Sequence, residues 1–176
     1  MDELTALLQT ATSKVEHLYF HVELDGGSPV YRERVYCYEL YHQLRTVWPS
    51  NSPYRLNGEL DKVAHPKLVN LGAGYAKPDL LVHTPGDMGG NDTIIEVKSS
   101  AATRKRKGVR KDLTTLALFR TEVGYQRAIY LLYGYEADQA ADRVRSVAQK
   151  MDVVPPVELW VHRRPGEAAQ SVRLAY

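Results

Sequence analysis

The sequence holds a single cysteine, Cys37, among 176 residues, which excludes both an internal disulfide and a cysteine-built zinc site. Nothing in it asks for an oxidising compartment, so a cytoplasmic location is expected. No apolar run approaches the ~18 residues of a membrane-spanning helix, and the start lacks a basic stretch followed by an apolar one. Neither a membrane partner nor a secretory leader is therefore expected, and the Asn91-Asp92-Thr93 sequon is read as a chance match. Internal repeats and low-complexity tracts are also missing, and Gly and Pro fall between short periodic segments rather than in a linker. One domain over residues 1–176, with room for one buried core, is the expected organisation.

Net charge is sparse too, +2 from 23 basic and 21 acidic side chains, but it is unevenly spread. Arg104, Lys105, Arg106, Lys107, Arg110 and Lys111 crowd together with no acid among them, leaving 17 basic against 21 acidic side chains elsewhere. Such a run is either a solvated loop or a contact for phosphates, and charge alone does not choose.

Leu4, Leu7, Leu8, Ala11, Val15 and Leu18 recur at helical spacing and predict a helix over 2–18. Asp25-Gly26-Gly27 reads as a turn, after which Ser28 caps and Pro29 opens a second helix. Its apolar stripe, Cys37, Leu40, Leu44 and Val47, carries it to Trp48. Strands are predicted over 54–62, 79–83 and 93–98. After the basic run, Asp112 is read as the cap of a helix ending near Gly124; a strand over 126–133, a helix over 137–151 and a strand over 157–162 follow. This order indicates an α/β fold with a central mixed β-sheet flanked by helices, its later strands parallel.

Residues two apart on a strand share a face, so Glu96 and Lys98 project together while Ile95 and Val97 point the other way. If the two strands pair as a hairpin across 85–91, Asp79 meets Glu96 at one end of the sheet. Two carboxylates in a partly buried site repel, and a divalent cation relieves that cost. A third acid follows from helical spacing. Glu33 precedes the stripe residues Cys37, Leu40, Leu44 and Val47 by 4, 7, 11 and 14 positions, so it faces the sheet, whereas Glu39 lies on a solvated side. An acid on a buried stripe needs a partner, and a metal or its water beside Asp79 is one.

Pro78-Asp79, then Glu96-Val97-Lys98 17 residues after Asp79, with a helix glutamate upstream, resembles the PD-(D/E)XK nuclease superfamily and its restriction-endonuclease-like core. Within it, the likeness is to a group of uncharacterised bacterial members and covers about residues 30–135; the domain core is placed at about 28–135. Residues 33–40 look like their opening helix, 58–62 like their first strand, 77–83 like their second, and 94–99 like their E-x-K strand. Asp112-Leu113 and Gly124-Tyr125 follow their later helix and strand. Glu39 departs from the pattern, standing where a basic residue is expected.

The resemblance implies a site in which Asp79 and Glu96 hold Mg²⁺ or Mn²⁺, with Glu33 binding directly or through water. Lys98 would position or deprotonate the attacking water or stabilise the transition state. The implied activity is phosphodiester hydrolysis leaving a 5′-phosphate, by an endonuclease acting on DNA rather than RNA, in restriction or defence. Glu59, sharing a strand face with Asp61, is either an auxiliary acid or part of a solvated edge. The basic run begins six residues after Lys98, which favours phosphate contact. No module for reading bases is present, so specificity is expected from a homodimer, a larger complex or the shape of the substrate. The competing reading is a nucleic-acid-binding or assembly module of the same fold without catalysis.

Other features are weaker. His17 and His21 are four apart with no third ligand adjacent, and helix-end packing is favoured over a metal. His83 reads as an ordinary strand-end histidine. Gly72-Ala73-Gly74 lacks a preceding strand or P-loop lysine and is a loop. Tyr125, Gln126 and Tyr130 are assigned to core packing.

Overall fold

Residues 127–133 carry the near-continuous apolar content of a strand covered on both faces, and residues 91–99 contribute the buried Ile94, Ile95 and Val97. They form the two central strands of the computed structural model, which describes residues 3–59, 69–70, 76–151 and 156–174. Helices α1 (Glu3–Thr12) and α2 (His17–Phe20) precede strands β1 (Val22–Leu24) and β2 (Gly27–Val30) and helix α3 (Glu33–Val47). Then come β3 (Arg55–Asn57), β4 (Leu80–His83), β5 (Asn91–Ser99), α4 (Arg106–Thr121), β6 (Arg127–Tyr133), α5 (Ala137–Ala148), β7 (Glu158–His162) and β8 (Gln170–Val172). Strands β3 to β8 lie side by side in sequence order in one six-stranded sheet. The neighbours β5, β6 and β7 are parallel and are linked through α4 and α5, the crossovers that parallel pairing requires. The β3–β4, β4–β5 and β7–β8 pairs are antiparallel, so the sheet is mixed and the fold is α/β.

Side-chain alternation divides the core in two. Ile95, Val97, Ile129 and Leu131 pack with Leu8, Leu40 and Leu44 from α1 and α3. Ile94, Tyr130 and Leu132 pack with Leu113, Phe119 and Val144 from α4 and α5. Glu96 and Lys98 therefore belong to the α4 side of β5.

Several elements depart from the sequence-based expectations. The helix expected over 2–18 breaks after Thr12, whose hydroxyl donates to the Leu8 carbonyl at 2.8 Å and accepts from Ala169 N at 2.9 Å. The chain turns there so that Val15 enters the core, its carbonyl taken by Gly166 N at 3.1 Å. Ser28 and Pro29 do not open a helix. They lie in β2, paired with β1 across an Asp25-Gly26 turn in which Gly26 has φ +68°, the left-handed conformation such tight hairpins use. Helix α3 starts instead at Glu33, an acid that suits the positive end of a helix dipole. Of the strand expected over 54–62, residues 55–57 are extended and 60–62 lie outside the described residues, as do Asp61 and Gly72-Ala73-Gly74. Asp112 is not a helix cap. Helix α4 begins six residues earlier and takes in most of the basic run, because Val109, Leu113 and Leu116 bury one continuous stripe.

Candidate active site

Pairing between β4 and β5 stops at Leu80 opposite Ile95. Beyond that point the backbone N–H groups of Val97 and Ser99 face the side that β4 has left, and a partly buried N–H needs an acceptor. Two carboxylates supply it. Asp79, directly before β4, accepts from Val97 N through Oδ2 at 2.7 Å. Glu33, the first residue of α3, accepts through Oε1 from Ser99 N at 3.0 Å and from Ser99 Oγ at 3.0 Å. These acids stand in for a missing strand, and each retains a second oxygen for other work.

On the α4 face of β5, Lys98 Nζ lies 3.4 Å from Glu33 Oε2, 3.4 Å from Asp112 Oδ2 and 3.7 Å from Glu96 Oε1. Asp112 is 8% exposed and its Oδ2 also accepts from the Tyr130 hydroxyl at 3.0 Å. Glu33, Asp79, Glu96 and Lys98 are thus brought together as their spacing predicts. Asp112 and Tyr130 are additions. The signal for Asp112 was present, since it lies on the buried stripe Val109, Leu113, Leu116, Phe119 just as Glu33 lies on that of α3.

Four carboxylates against one ammonium make the site electrostatically unbalanced. Burial, reinforced by the charges of Asp79 and Asp112, pushes Glu96 up to about 8, with Lys98 offsetting part of the rise. Burial pushes Asp79 up to about 6 against the pull of the Val97 N–H and Lys98. Burial works to lower Lys98, but Asp112, Glu33, Glu96 and Asp79 outweigh it and hold the ammonium above its ordinary range. Lys98 is a fixed cation here, suited to stabilising negative charge rather than to taking a proton. Among the described residues no three His, Cys, Asp or Glu side chains already surround one point as a metal cage. Glu33, Glu96 and Asp112 converge on Lys98 instead.

Of the remaining candidates, Glu59 and Lys111 line clefts shared with Asp79 and with Glu96. Glu59 is 45% exposed, 3.5 Å from Arg34 Nη2, and lines a cleft of about 250 Å³ with Tyr38, Tyr41 and Asp79. Lys77 and Lys111 edge a second opening of about 170 Å³ floored by Glu96 and Asp112. Arg104 pairs with Glu136 at 3.0 Å and Arg110 donates to the Lys150 carbonyl at 3.0 Å, while Lys105, Arg106 and Lys107 are exposed. Glu39 accepts from Gln43 Nε2 at 2.7 Å on its own helix, away from the site. His83 pairs with the Asn57 side chain at 2.9 Å, and His21 stacks on Tyr31 with ring centroids 4.6 Å apart. Tyr125 is buried in the core.

The chain matches no family model, no curated protein and no solved structure. Its geometry still limits the chemistry. The site is a cluster of carboxylate oxygens gathered around one ammonium, at an open strand end edged by Lys77 and Lys111.

Proposed function

We propose that the protein is a metal-dependent nuclease that hydrolyses phosphodiester bonds, in DNA rather than RNA, through a PD-(D/E)XK-type site on a restriction-endonuclease-like fold. The observation that supports this most is the meeting of Asp79, Glu96, Glu33 and Lys98 where β5 loses its antiparallel partner. The donor set fits Mg²⁺ or Mn²⁺. It is all carboxylate oxygen, it carries excess negative charge, and Asp79 Oδ1 has no hydrogen bond to a described residue. Asp79 and Glu96, with Glu33 directly or through water, would hold the ion, which supplies Lewis-acid polarisation of the phosphate and a more acidic water. Lys98 then places its ammonium against the charge that builds on the phosphate oxygens. Glu33 and Asp112 aim that ammonium from two sides, and Tyr130 fixes Asp112. Lys77, Lys111 and the exposed Lys105, Arg106 and Lys107 draw in the backbone without reading bases. A second copy or a larger complex is the proposed source of specificity.

The test is conversion of supercoiled plasmid to nicked and linear forms by the purified chain. Cleavage is expected with Mg²⁺ or Mn²⁺ and not in EDTA, and Asp79→Asn should abolish it. Binding without cleavage under either metal would instead identify a non-catalytic nucleic-acid-binding module.

Asp112→Asn provides a second check. Asparagine keeps an acceptor for Tyr130 but removes one of the charges aiming Lys98, so kcat should fall about 10-fold or more. KM should stay within about twofold and Tm within about 2 °C, because neither substrate contact nor packing is lost. An unchanged kcat would mean that Asp112 serves only the core.

A further inference from the structure

Past Ser99 the open edge of β5 runs into a cleft of about 600 Å³ between the residues leading into α3 and the turn after β6. One wall is aromatic. His21 stacks on Tyr31 (4.6 Å, 30°), and Tyr135 meets His21 edge-on (5.7 Å, 84°). The wall is fixed in place, since Tyr135 N donates to the Tyr31 hydroxyl at 3.0 Å. Nearby Phe20, Tyr36 and Tyr133 are fully buried and explained by packing, but Tyr135 keeps 46% of its surface exposed. The rim is cationic. Arg104 is anchored by Glu136, whereas the exposed Arg32 makes no side-chain hydrogen bond or ion pair with a described residue.

The cleft shares Ser99 with the site, and Arg32 directly precedes Glu33, so a strand whose phosphate lies at Asp79 and Glu33 continues into it. An exposed ring beside an uncommitted guanidinium is the combination that receives a base and its flanking phosphate. Resting on the nuclease reading, we infer that this cleft takes the unstacked base next to the scissile phosphate, with Tyr135 as stacking face and Arg32 on the adjoining phosphate. A base inside a duplex is already stacked and cannot enter, so the substrate class is a single strand or a locally opened duplex.

The full chain is titrated, in Ca²⁺ with uncut probe verified by gel, against a fluorescein-labelled single-stranded 12-mer, its duplex, and a 12-mer carrying 2-aminopurine. The single strand should bind about tenfold more tightly than the duplex, and binding should quench 2-aminopurine. Tyr135→Leu, which keeps apolar bulk without a ring, should weaken single-strand binding about 5- to 10-fold and remove the quenching. Tyr135→Phe should retain both, which separates stacking from folding. Arg32→Ala should lower the slope of log Kd against log salt by about 0.7. Parental binding and quenching in Tyr135→Leu would overturn the inference, and persistent plasmid nicking would then leave the nuclease reading standing. Quenching that depends on Tyr135 without cleavage under any metal would support the cleft and overturn the nuclease. Failure to bind any probe would overturn the inference, and the same failure with no plasmid cleavage would overturn both.

Discussion

Lys98→Met is expected to lower metal-dependent cleavage by about 10²- to 10³-fold, the scale on which removing one preorganised charge-stabilising group acts. The reason is specific to the pocket. The Lys98 side chain is 19% exposed and its ammonium is held by Glu33, Glu96 and Asp112, so water cannot substitute well for it. The same change leaves Glu33, Asp79, Glu96 and Asp112 facing one another with no cation between them. At pH 8 without metal this should cost about 2 kcal/mol, or a fall in Tm of about 4–8 °C. At pH 5 the fall should be smaller, because the acids then take up protons. Lys98→Arg separates the two roles. It restores a cation and most of the stability, but its planar fork does not fit a site built around a point charge, so cleavage should remain depressed. Initial rates on plasmid at 20 °C, with melting curves at both pH values, check this. A Lys98→Met variant cleaving within threefold of the parent would remove Lys98 from the mechanism.

Local pattern made part of this site legible in the sequence. Alternation along Ile94 to Lys98 puts Glu96 and Lys98 on one face, and a hairpin across 85–91 carries Asp79 to the same end; both features are seen in the β4–β5 pairing. Helical spacing alone aims Glu33 inward. What pattern could not supply is contact between distant elements. The Lys98–Asp112 pair depends on how α4 lies across β5, and the terminus of α4 was obscured by its own charges. A basic first turn opposes the helix dipole, so an aspartate just ahead of an apolar run looked like the cap when it was a buried residue of the second turn. The β1–β2 hairpin escaped for a different reason. Its strands are three and four residues long and include Pro29, too short for an alternation to register. The basic run was evident as charge, yet its division into Arg104 bound to Glu136, Arg110 bound to a carbonyl and exposed lysines is tertiary.

Glu96→Gln should abolish cleavage while making the metal-free protein more stable. The unfolded chain titrates Glu96 near 4.5, whereas in the fold burial and the charges of Asp79 and Asp112 raise it to about 8. Between those values the folded state binds more protons than the unfolded state, so stability falls as pH rises through that window. At pH 8 much of the penalty is present, and near pH 4.5 little of it is. A neutral glutamine escapes it, so Tm at pH 8 in EDTA should rise by about 4–8 °C, on the order of 2 kcal/mol, and should hardly change near pH 4.5. On the proposed reading, a divalent cation relieves the same repulsion in the parent. Mn²⁺ should therefore raise the parental Tm more at pH 8 than at pH 5, and should raise that of Glu96→Gln little at either pH. Melting curves at pH 4.5, 5 and 8, each in EDTA and in Mn²⁺, measure all of these effects. A lower Tm for Glu96→Gln at pH 8, or an equal Mn²⁺ response in both proteins, would mean that Glu96 is held by the fold rather than strained within it. On the proposed reading, the acid that costs the fold most in the absence of a cation is, together with Asp79, one whose loss should stop the reaction.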